Sequence, residues 1–149
     1  MKFLLPLLLI SLTGFIHNDS SPKWNSNYKV AITQAASEHK LILLNFSGSD
    51  WCGPCIKLHK EVFTKEEFIS IAETRLILVN ADFPRSKKNQ LSKDQQKLND
   101  ELADKYNHQG DFPLTVLINA DGQVIKAWTG YPSNVEDFFD DLRTTISNH

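Results

Sequence analysis

The sequence predicts an α/β sandwich built around a mixed sheet, and two observations support this fold class. Short and nearly continuous apolar runs, typical of strands buried on both faces, alternate with segments of helical spacing. Near the C-terminus, two strand-like runs flank Asp121-Gly122, which is a strong hairpin signal. The chain has 149 residues, enough for one domain and its core. We find no internal repeat and no second domain.

The N-terminal segment predicts an export signal. Lys2 is followed by an almost wholly apolar stretch over residues 3–16, about the length of a signal-peptide core and shorter than the roughly 20 residues of a membrane span. We therefore expect a signal peptide over residues 1–17, a polar linker over 18–26 and the folded domain over 27–149. A buried N-terminal helix and an uncleaved signal anchor are the alternatives. Export, to a periplasm or as a secreted protein, predicts a compartment in which disulfides persist.

The predicted elements of the folded domain follow the order α-β-α-β-α-β-β-α, in which the two consecutive helices over 55–62 and 64–73 count as one helical segment. Asn27 or Ser26 and Ser92 are predicted caps, and capping-box patterns begin at Thr64 and Ser133. Residues 83–93 are polar and basic and are predicted to form an exposed loop. The predicted helices cover 28–39, 55–62, 64–73, 94–106 and 133–147, and the predicted strands cover 41–46, 76–79, 114–118 and 123–128.

Charge and cysteine content exclude several functions. The net charge of −2 argues against nucleic acid as the main partner, because binding a phosphate backbone needs a concentrated basic face. Two cysteines cannot build a disulfide-rich scaffold. They can form one structural bridge, one redox pair or half of a metal site.

The spacing of the two cysteines favours the redox pair. In Trp51-Cys52-Gly53-Pro54-Cys55 the pair follows a predicted buried strand and opens a predicted helix. A helix N-terminus favours a thiolate, the species that attacks disulfides. We therefore expect Cys52 to be the exposed nucleophile and Cys55 the more buried resolving thiol, with Gly53 and Pro54 forming the tight turn between them.

This motif and the longer stretch Phe46–Phe63 resemble the small exported thioredoxin-like proteins of the thioredoxin superfamily. The resemblance extends from about residue 28 to the C-terminal helix. It implies the thioredoxin fold, a three-layer α/β/α sandwich with a C-terminal β-hairpin and helix. It also implies a thiol–disulfide oxidoreductase whose only redox group is the Cys52–Cys55 disulfide, with no added cofactor. The expected partners are disulfide-containing protein substrates and a membrane thiol electron donor, and we expect a monomer.

The same resemblance identifies further candidate site residues. Phe112-Pro113 precedes a strand at the position of the family's cis-proline, so Pro113 is expected to be cis and to lie against Cys52. Phe112 would offer backbone hydrogen bonds to the substrate chain. Trp51, Gly53 and Pro54 complete the expected substrate-binding surface.

The sequence also departs from the family pattern. Asn45 stands where the family often has a buried aspartate that relays a proton to the resolving cysteine, and an amide cannot titrate. The proton must therefore go elsewhere, to water or to Asp50, which is otherwise interpreted as a solvated loop residue. Residues 47–51 are one residue longer than the usual approach to the motif, and the 83–93 loop is long, so we expect partner choice to differ from that of general thioredoxin.

Three alternatives compete with the oxidoreductase. A structural disulfide would close a very short loop and add little stability. A copper or zinc module could use Cys52, Cys55 and His59, although no second cysteine pair is present. A non-catalytic binding domain could share the scaffold. The Gly-Pro pair resembles reducing members of the family, so reduction of protein disulfides is the leading hypothesis. Oxidase and isomerase activity stay open, because the direction of the reaction depends on the redox potential of the cysteine pair.

Overall fold

The fold was analysed in a computed structural model, which describes residues 21–149. The predicted signal peptide and the first residues of the predicted linker lie outside this range. None of the helices in the range is long and apolar enough to cross a membrane.

Within residues 21–149 the structure has the five predicted helices and the four predicted strands, together with one strand that the sequence did not predict. The hairpin, the buried apolar runs and the C-terminal helix lie where the sequence placed them. The strands are β1 (Trp24–Asn25), β2 (Leu41–Ser47), β3 (Leu76–Asp82), β4 (Leu114–Ile118) and β5 (Val124–Thr129). The helices are α1 (Tyr28–Glu38), α2 (Gly53–Glu61), α3 (Glu66–Arg75), α4 (Lys93–Tyr106) and α5 (Val135–Ser147), and a short 3-10 turn covers Lys87–Asn89.

The strands form one mixed sheet in the order β1-β3-β2-β4-β5. β3 pairs with β1 and β2 in parallel, whereas β4 runs antiparallel to both β2 and β5. The register pairs Phe46 near the end of β2 with Leu114 at the start of β4. The loop that leaves β2 toward Cys52 and the Phe112-Pro113 pair that precedes β4 therefore meet at the same end of the sheet.

Two apolar cores cover the two faces of the sheet, because side chains alternate along each strand. Leu43, Leu78 and Leu117 face one core, which α2, α3 and α5 complete. Leu44 and Val79 face the other, which α1 and α4 complete. This arrangement is the three-layer α/β/α sandwich that the resemblance implied.

The structure differs from the prediction at the linker. Trp24 and Asn25, placed in the polar linker, form an edge strand parallel to β3, and the Asn25 side chain donates a hydrogen bond to the Leu78 carbonyl at 3.1 Å. Trp24 packs against Phe63 and Phe68, with ring centroids at 5.0 and 6.4 Å. A two-residue strand is too short to show a hydrophobic period, and Trp24 is its one sequence signal of burial.

Two predicted capping boxes are wrong and two predicted caps are confirmed. Thr64 does not cap α3, because its hydroxyl donates back to the Lys60 carbonyl. Helix α3 begins after Lys65 instead, and the Lys65 side chain makes no capping hydrogen bond. Helix α5 is capped by Asn134 instead of Ser133. Asn27 caps α1 and Ser92 caps α4, as predicted.

Candidate active site

The cysteine pair lies at the N-terminus of α2, and Cys52 and Cys55 are joined by a disulfide with Cα atoms 5.2 Å apart. Cys52 is the N-cap residue, and its Sγ accepts a hydrogen bond from the Cys55 backbone N–H at 3.3 Å. Pro54 occupies the first turn, where its missing N–H has no intrahelical partner. The Cys52 sulfur therefore lies where unpaired backbone donors and the helix dipole stabilise a negative charge.

The two cysteines differ less in exposure than the sequence suggested. Cys52 is 5% exposed and Cys55 is fully buried, so the expected order is correct but Cys52 is nearly buried in the disulfide form. In this form the Cys52 sulfur is bonded to that of the fully buried Cys55 and accepts the Cys55 backbone N–H, so it is held close against the start of α2. Gly53 and Pro54, between them, are exposed.

Trp51 packs closely over the loop that leads from β2. Its backbone N–H and that of Cys52 donate to the Gly48 carbonyl, at 3.3 and 2.9 Å, and form a tight turn. A Cβ at Gly48 would lie 2.3 Å from the Trp51 ring, so this position requires a residue without a side chain. The indole Nε1 donates to the Phe83 carbonyl at 2.7 Å, which ties the motif to the loop after β3.

The Phe112-Pro113 peptide bond is cis, as the resemblance implied. Pro113 is buried, and its carbonyl accepts a hydrogen bond from the Gly130 N–H at 2.8 Å. Phe112 is half-buried and lies edge-on to Trp51 and to Phe83, with ring centroids at 5.4 and 5.5 Å. Two candidate substrate-binding residues, Trp51 in the motif and Phe112 before β4, are thus in contact through their aromatic rings.

Asp50 is a partly exposed loop residue whose carboxylate is hydrogen-bonded to the loop after β3. Its carboxylate accepts hydrogen bonds from the backbone N–H groups of Arg85 and Ser86, both at 2.9 Å, and from the Asn89 side chain at 3.0 Å. These donors, the Arg85 N–H first among them, hold the pKa of Asp50 below its usual value. As a carboxylate, Asp50 therefore joins the loop after β3 to the loop over residues 48–52, called the active-site loop below. Its low pKa also makes it a poor acceptor for a proton from Cys55.

A buried polar network surrounds Asn45. Its side-chain nitrogen donates to Asn80 Oδ1 at 3.1 Å, and its oxygen accepts from the Thr115 hydroxyl at 3.2 Å. Asn80 also acts on His59 of α2, whose pKa it raises. Neutral partners thus satisfy the amide that replaces the expected aspartate.

His59 is half-buried on α2, among aromatic side chains. Its ring lies 5.3 Å from Trp24 and 5.2 Å from Phe63, centroid to centroid. Burial among these rings lowers the pKa of His59, against the opposing effects of the Asn80 hydrogen bond and of Asp82. Within residues 21–149, no three or more His, Cys, Asp or Glu side chains are grouped to hold a metal ion.

Two contacts of the site had no sequence signal. The guanidinium of Arg85 lies over the Trp51 ring, 3.7 Å from its centroid, and the Asp50 anchor joins positions 35 and more residues apart. Both depend on how the loop after β3 folds, which composition alone does not specify. Gly48 could have been noticed as a glycine before a motif, but the residue that fills its space is visible only in the structure.

Known proteins resemble this chain over most of the folded domain. The family model described as a thioredoxin-like domain matches residues 28–145. The disulfide bond reductase DsbH of Chlamydia pneumoniae is 39% identical over 101 residues, which cover 68% of this chain and 58% of that protein. The thioredoxin-related protein DsbJ of the same organism is 36% identical over 81 residues, 54% of this chain and 23% of that protein. The chain thus matches less than two thirds of the length of either relative.

Solved structures resemble the fold as a whole. A DsbH oxidoreductase structure is 26% identical with a TM-score of 0.78, covering 100% of this chain and 96% of that chain. A thioredoxin from Thermus thermophilus, at 19% identity, has a TM-score of 0.63 and covers 84% and 87% of the two chains. The second likeness concerns the fold alone.

Proposed function

The chain belongs to the thioredoxin-like family, and from that premise we propose that it is a thiol–disulfide oxidoreductase that reduces protein disulfides outside the cytoplasm. The observation that carries the proposal is the Cys52–Cys55 disulfide at the N-terminus of α2, beside the loop that holds cis-Pro113. A pair placed to stabilise a thiolate, with a second thiol within one turn, suits reversible exchange better than a structural bridge.

In the proposed cycle, the dithiol form reacts first through Cys52. The Cys52 thiolate attacks one sulfur of a substrate disulfide and forms a mixed disulfide, while the other substrate sulfur leaves as a thiolate and takes a proton. The Cys55 thiolate then attacks Cys52 Sγ and releases the second substrate thiol. Two electrons have passed to the substrate, and Cys52–Cys55 is left oxidised. A membrane thiol donor returns the pair to the dithiol by the same exchange chemistry.

The residues around the pair have supporting roles in this proposal. Trp51, Phe112 and cis-Pro113 form the surface against which the substrate chain lies, with Gly53 and Pro54 exposed at its centre. Phe112 offers backbone hydrogen bonds to an extended substrate segment. The proton of Cys55 passes to water, because Asp50 is held as a carboxylate and Asn45 does not titrate.

Export and oligomeric state complete the proposal. The apolar stretch over residues 3–16 supports export to a periplasm or beyond, where the substrates would carry disulfides. We propose a monomer, since thiol exchange needs only the one cysteine pair that the chain carries.

A trapping experiment tests the activity. Cys55→Ser leaves the mixed disulfide unresolved, so a substrate incubated with the reduced variant is expected to stay covalently attached to Cys52 until dithiothreitol is added. Cys52→Ser is the matched control and is expected to trap nothing. Equal trapping by both variants, or by neither, contradicts the proposed nucleophile.

Whether the protein reduces or oxidises its substrates is tested by measuring the redox potential of the Cys52–Cys55 pair against glutathione. A reductase is expected to lie near the ~−270 mV of thioredoxin, while a value near ~−120 mV belongs to a strong oxidant and would contradict net reduction.

A further inference from the structure

The segment after β3 is rich in positive charge, and one of its cations lies beside the cysteine motif. Residues 83–93, called the basic loop below, comprise the loop after β3 and the first residue of α4; they contain Arg85, Lys87, Lys88 and Lys93 and no acidic residue, although the whole chain has a net charge of −2. A quarter of the chain's 16 cationic side chains thus lie in 11 residues. Charge of one sign concentrated at one place steers partners of the other sign.

The basic loop is held against the active-site loop at two points. The Trp51 indole donates to the Phe83 carbonyl at 2.7 Å. On the other side, the Asp50 carboxylate accepts the backbone N–H groups of Arg85 and Ser86 and the side chain of Asn89. Because Trp51 and Asp50 directly precede Cys52, the position of the loop relative to the nucleophile is fixed on both sides.

Arg85 is the cation nearest to the chemistry. Its guanidinium stacks on the Trp51 ring at 3.7 Å, one residue from Cys52, and its side chain remains exposed. Among the ion pairs of residues 21–149, none involves Arg85, Lys87 or Lys88. The neighbouring carboxylates are already bonded elsewhere, Asp50 as above and Asp82 to the backbone and hydroxyl of Ser49. The loop therefore presents cations that a partner can pair.

We propose that the basic loop selects disulfide substrates whose cysteines are flanked by acidic residues, with Arg85 on Trp51 as the principal contact. This inference rests on the proposed oxidoreductase function and names its substrate class. The aromatic surface of Trp51, Phe83 and Phe112 receives the chain next to the disulfide, and the guanidinium at its rim pairs with a carboxylate in that chain. A planar guanidinium already stacked on a ring loses little freedom when it binds a carboxylate.

The test uses two disulfide-bridged model peptides that are identical except that four glutamates flank the bridge in one and four glutamines in the other. Reduced protein reacts with each peptide in a single turnover, so no electron donor is needed. We expect the second-order rate constant to be about two- to fivefold higher for the acidic peptide at low ionic strength, the range of exposed ion pairs. The ratio is expected to fall toward one at about 1 M salt, where the Debye length is ~3 Å.

Matched variants assign the preference to the loop. Arg85→Gln is expected to lower the acidic-to-neutral ratio toward one, and Arg85→Glu to bring it below one. Lys29→Gln removes the same charge from an exposed position in α1, beside the β4–β5 turn at the opposite end of the sheet, and is expected to keep the wild-type ratio. Thermal unfolding of each variant verifies that it is folded.

Three results overturn the inference, and a fourth concerns the function itself. Equal wild-type rates on the two peptides exclude substrate selection by the basic loop, and a preference that survives in both Arg85 variants excludes Arg85 as its principal contact. Binding to anionic phosphatidylglycerol vesicles that Arg85→Gln abolishes, without any peptide preference, would assign the loop to a lipid surface instead. Failure to reduce either peptide would count against the proposed oxidoreductase, whereas reduction of both at one rate would leave it intact.

Discussion

At the scale of single residues, the Trp51 ring fills the space that a side chain at Gly48 would occupy. A methyl group at position 48 would lie 2.3 Å from the indole, so Gly48→Ala must displace Trp51 and break its hydrogen bond to the Phe83 carbonyl. We expect a loss of about 1–3 kcal/mol in the free energy of unfolding, the usual cost of overpacking, together with a changed tryptophan emission spectrum. Urea denaturation followed by fluorescence measures both.

The control for this change is the same substitution at Gly53, where an added Cβ meets nothing within 4 Å. Gly53→Ala is expected to leave the free energy of unfolding within about 0.5 kcal/mol of the wild type or to raise it, since alanine favours the helix. If the two variants were equally stable, the close packing of Trp51 on Gly48 would be wrong.

His59 makes stability depend on pH in a definite direction. Burial lowers its pKa in the folded protein, so below the ordinary value of about 6.5 the unfolded chain binds more protons. The stability that the neutral, buried His59 allows is therefore complete above about pH 6.5 and is lost as the pH falls from there through the lower pKa of the folded protein. We expect the unfolding free energy of the wild type to fall more steeply between about pH 7 and pH 5 than that of His59→Phe, which keeps an aromatic ring against Trp24.

The exposed His108 provides the comparison for this pH dependence. His108→Phe removes a histidine without touching the Trp24 cluster and is expected to retain the wild-type slope in urea denaturation at several pH values. Parallel profiles for the wild type and His59→Phe would mean that the buried ring does not titrate in this range.

At the scale of elements, strand β1 is small but tightly packed. Trp24 closes the core between α2 and α3, against Phe63 and Phe68. Trp24→Ala is expected to lower the free energy of unfolding by about 2 kcal/mol, less than for a fully buried aromatic residue because Trp24 is half-buried. Val30→Ala, at a position 54% exposed on α1, is the control and is expected to change it by no more than about 0.5 kcal/mol. Similar values for both would place β1 outside the folded core.

The sequence predicted the long elements well because their signals are local. The apolar runs of β2 and β3 and the Asp-Gly hairpin each contain the information that defines them. The strand β1 was not predicted because two residues show no period. The capping box at Thr64 was wrong because the Thr64 hydroxyl bonds back to the Lys60 carbonyl of the preceding helix α2. In the site, the cysteine pair and cis-Pro113 were found by motif and resemblance, whereas the contact between Arg85 and Trp51 depends on a loop fold that no local pattern describes.

At the scale of the whole molecule, stability comes from the two cores on either side of the sheet. The chain has two cysteines, both in the candidate active site, so no other disulfide supports the domain. The Cys52–Cys55 bridge spans a sequence separation of three, and loop-closure entropy for so short a loop is about 2 kcal/mol. We therefore expect the reduced protein to remain folded, which a cycling oxidoreductase requires.

The stability difference between the two redox forms also reports the direction of the reaction. Folding and disulfide reduction form a thermodynamic cycle, so a folded pair that is harder to reduce than the unfolded pair must make the oxidised protein the more stable one. Strong oxidants show the opposite order, because their reduced form is stabilised. For a reductase we expect a higher urea midpoint in the oxidised form than in the reduced form.

Urea denaturation of the protein with and without dithiothreitol measures this difference. The double variant Cys52→Ser/Cys55→Ser is the matched control, since it cannot form the bridge and its midpoint is expected not to respond to dithiothreitol. A reduced form more stable than the oxidised form would identify the chain as an oxidant while leaving exchange through Cys52 unaffected, because direction depends on the relative energies of the two forms and not on which sulfur attacks.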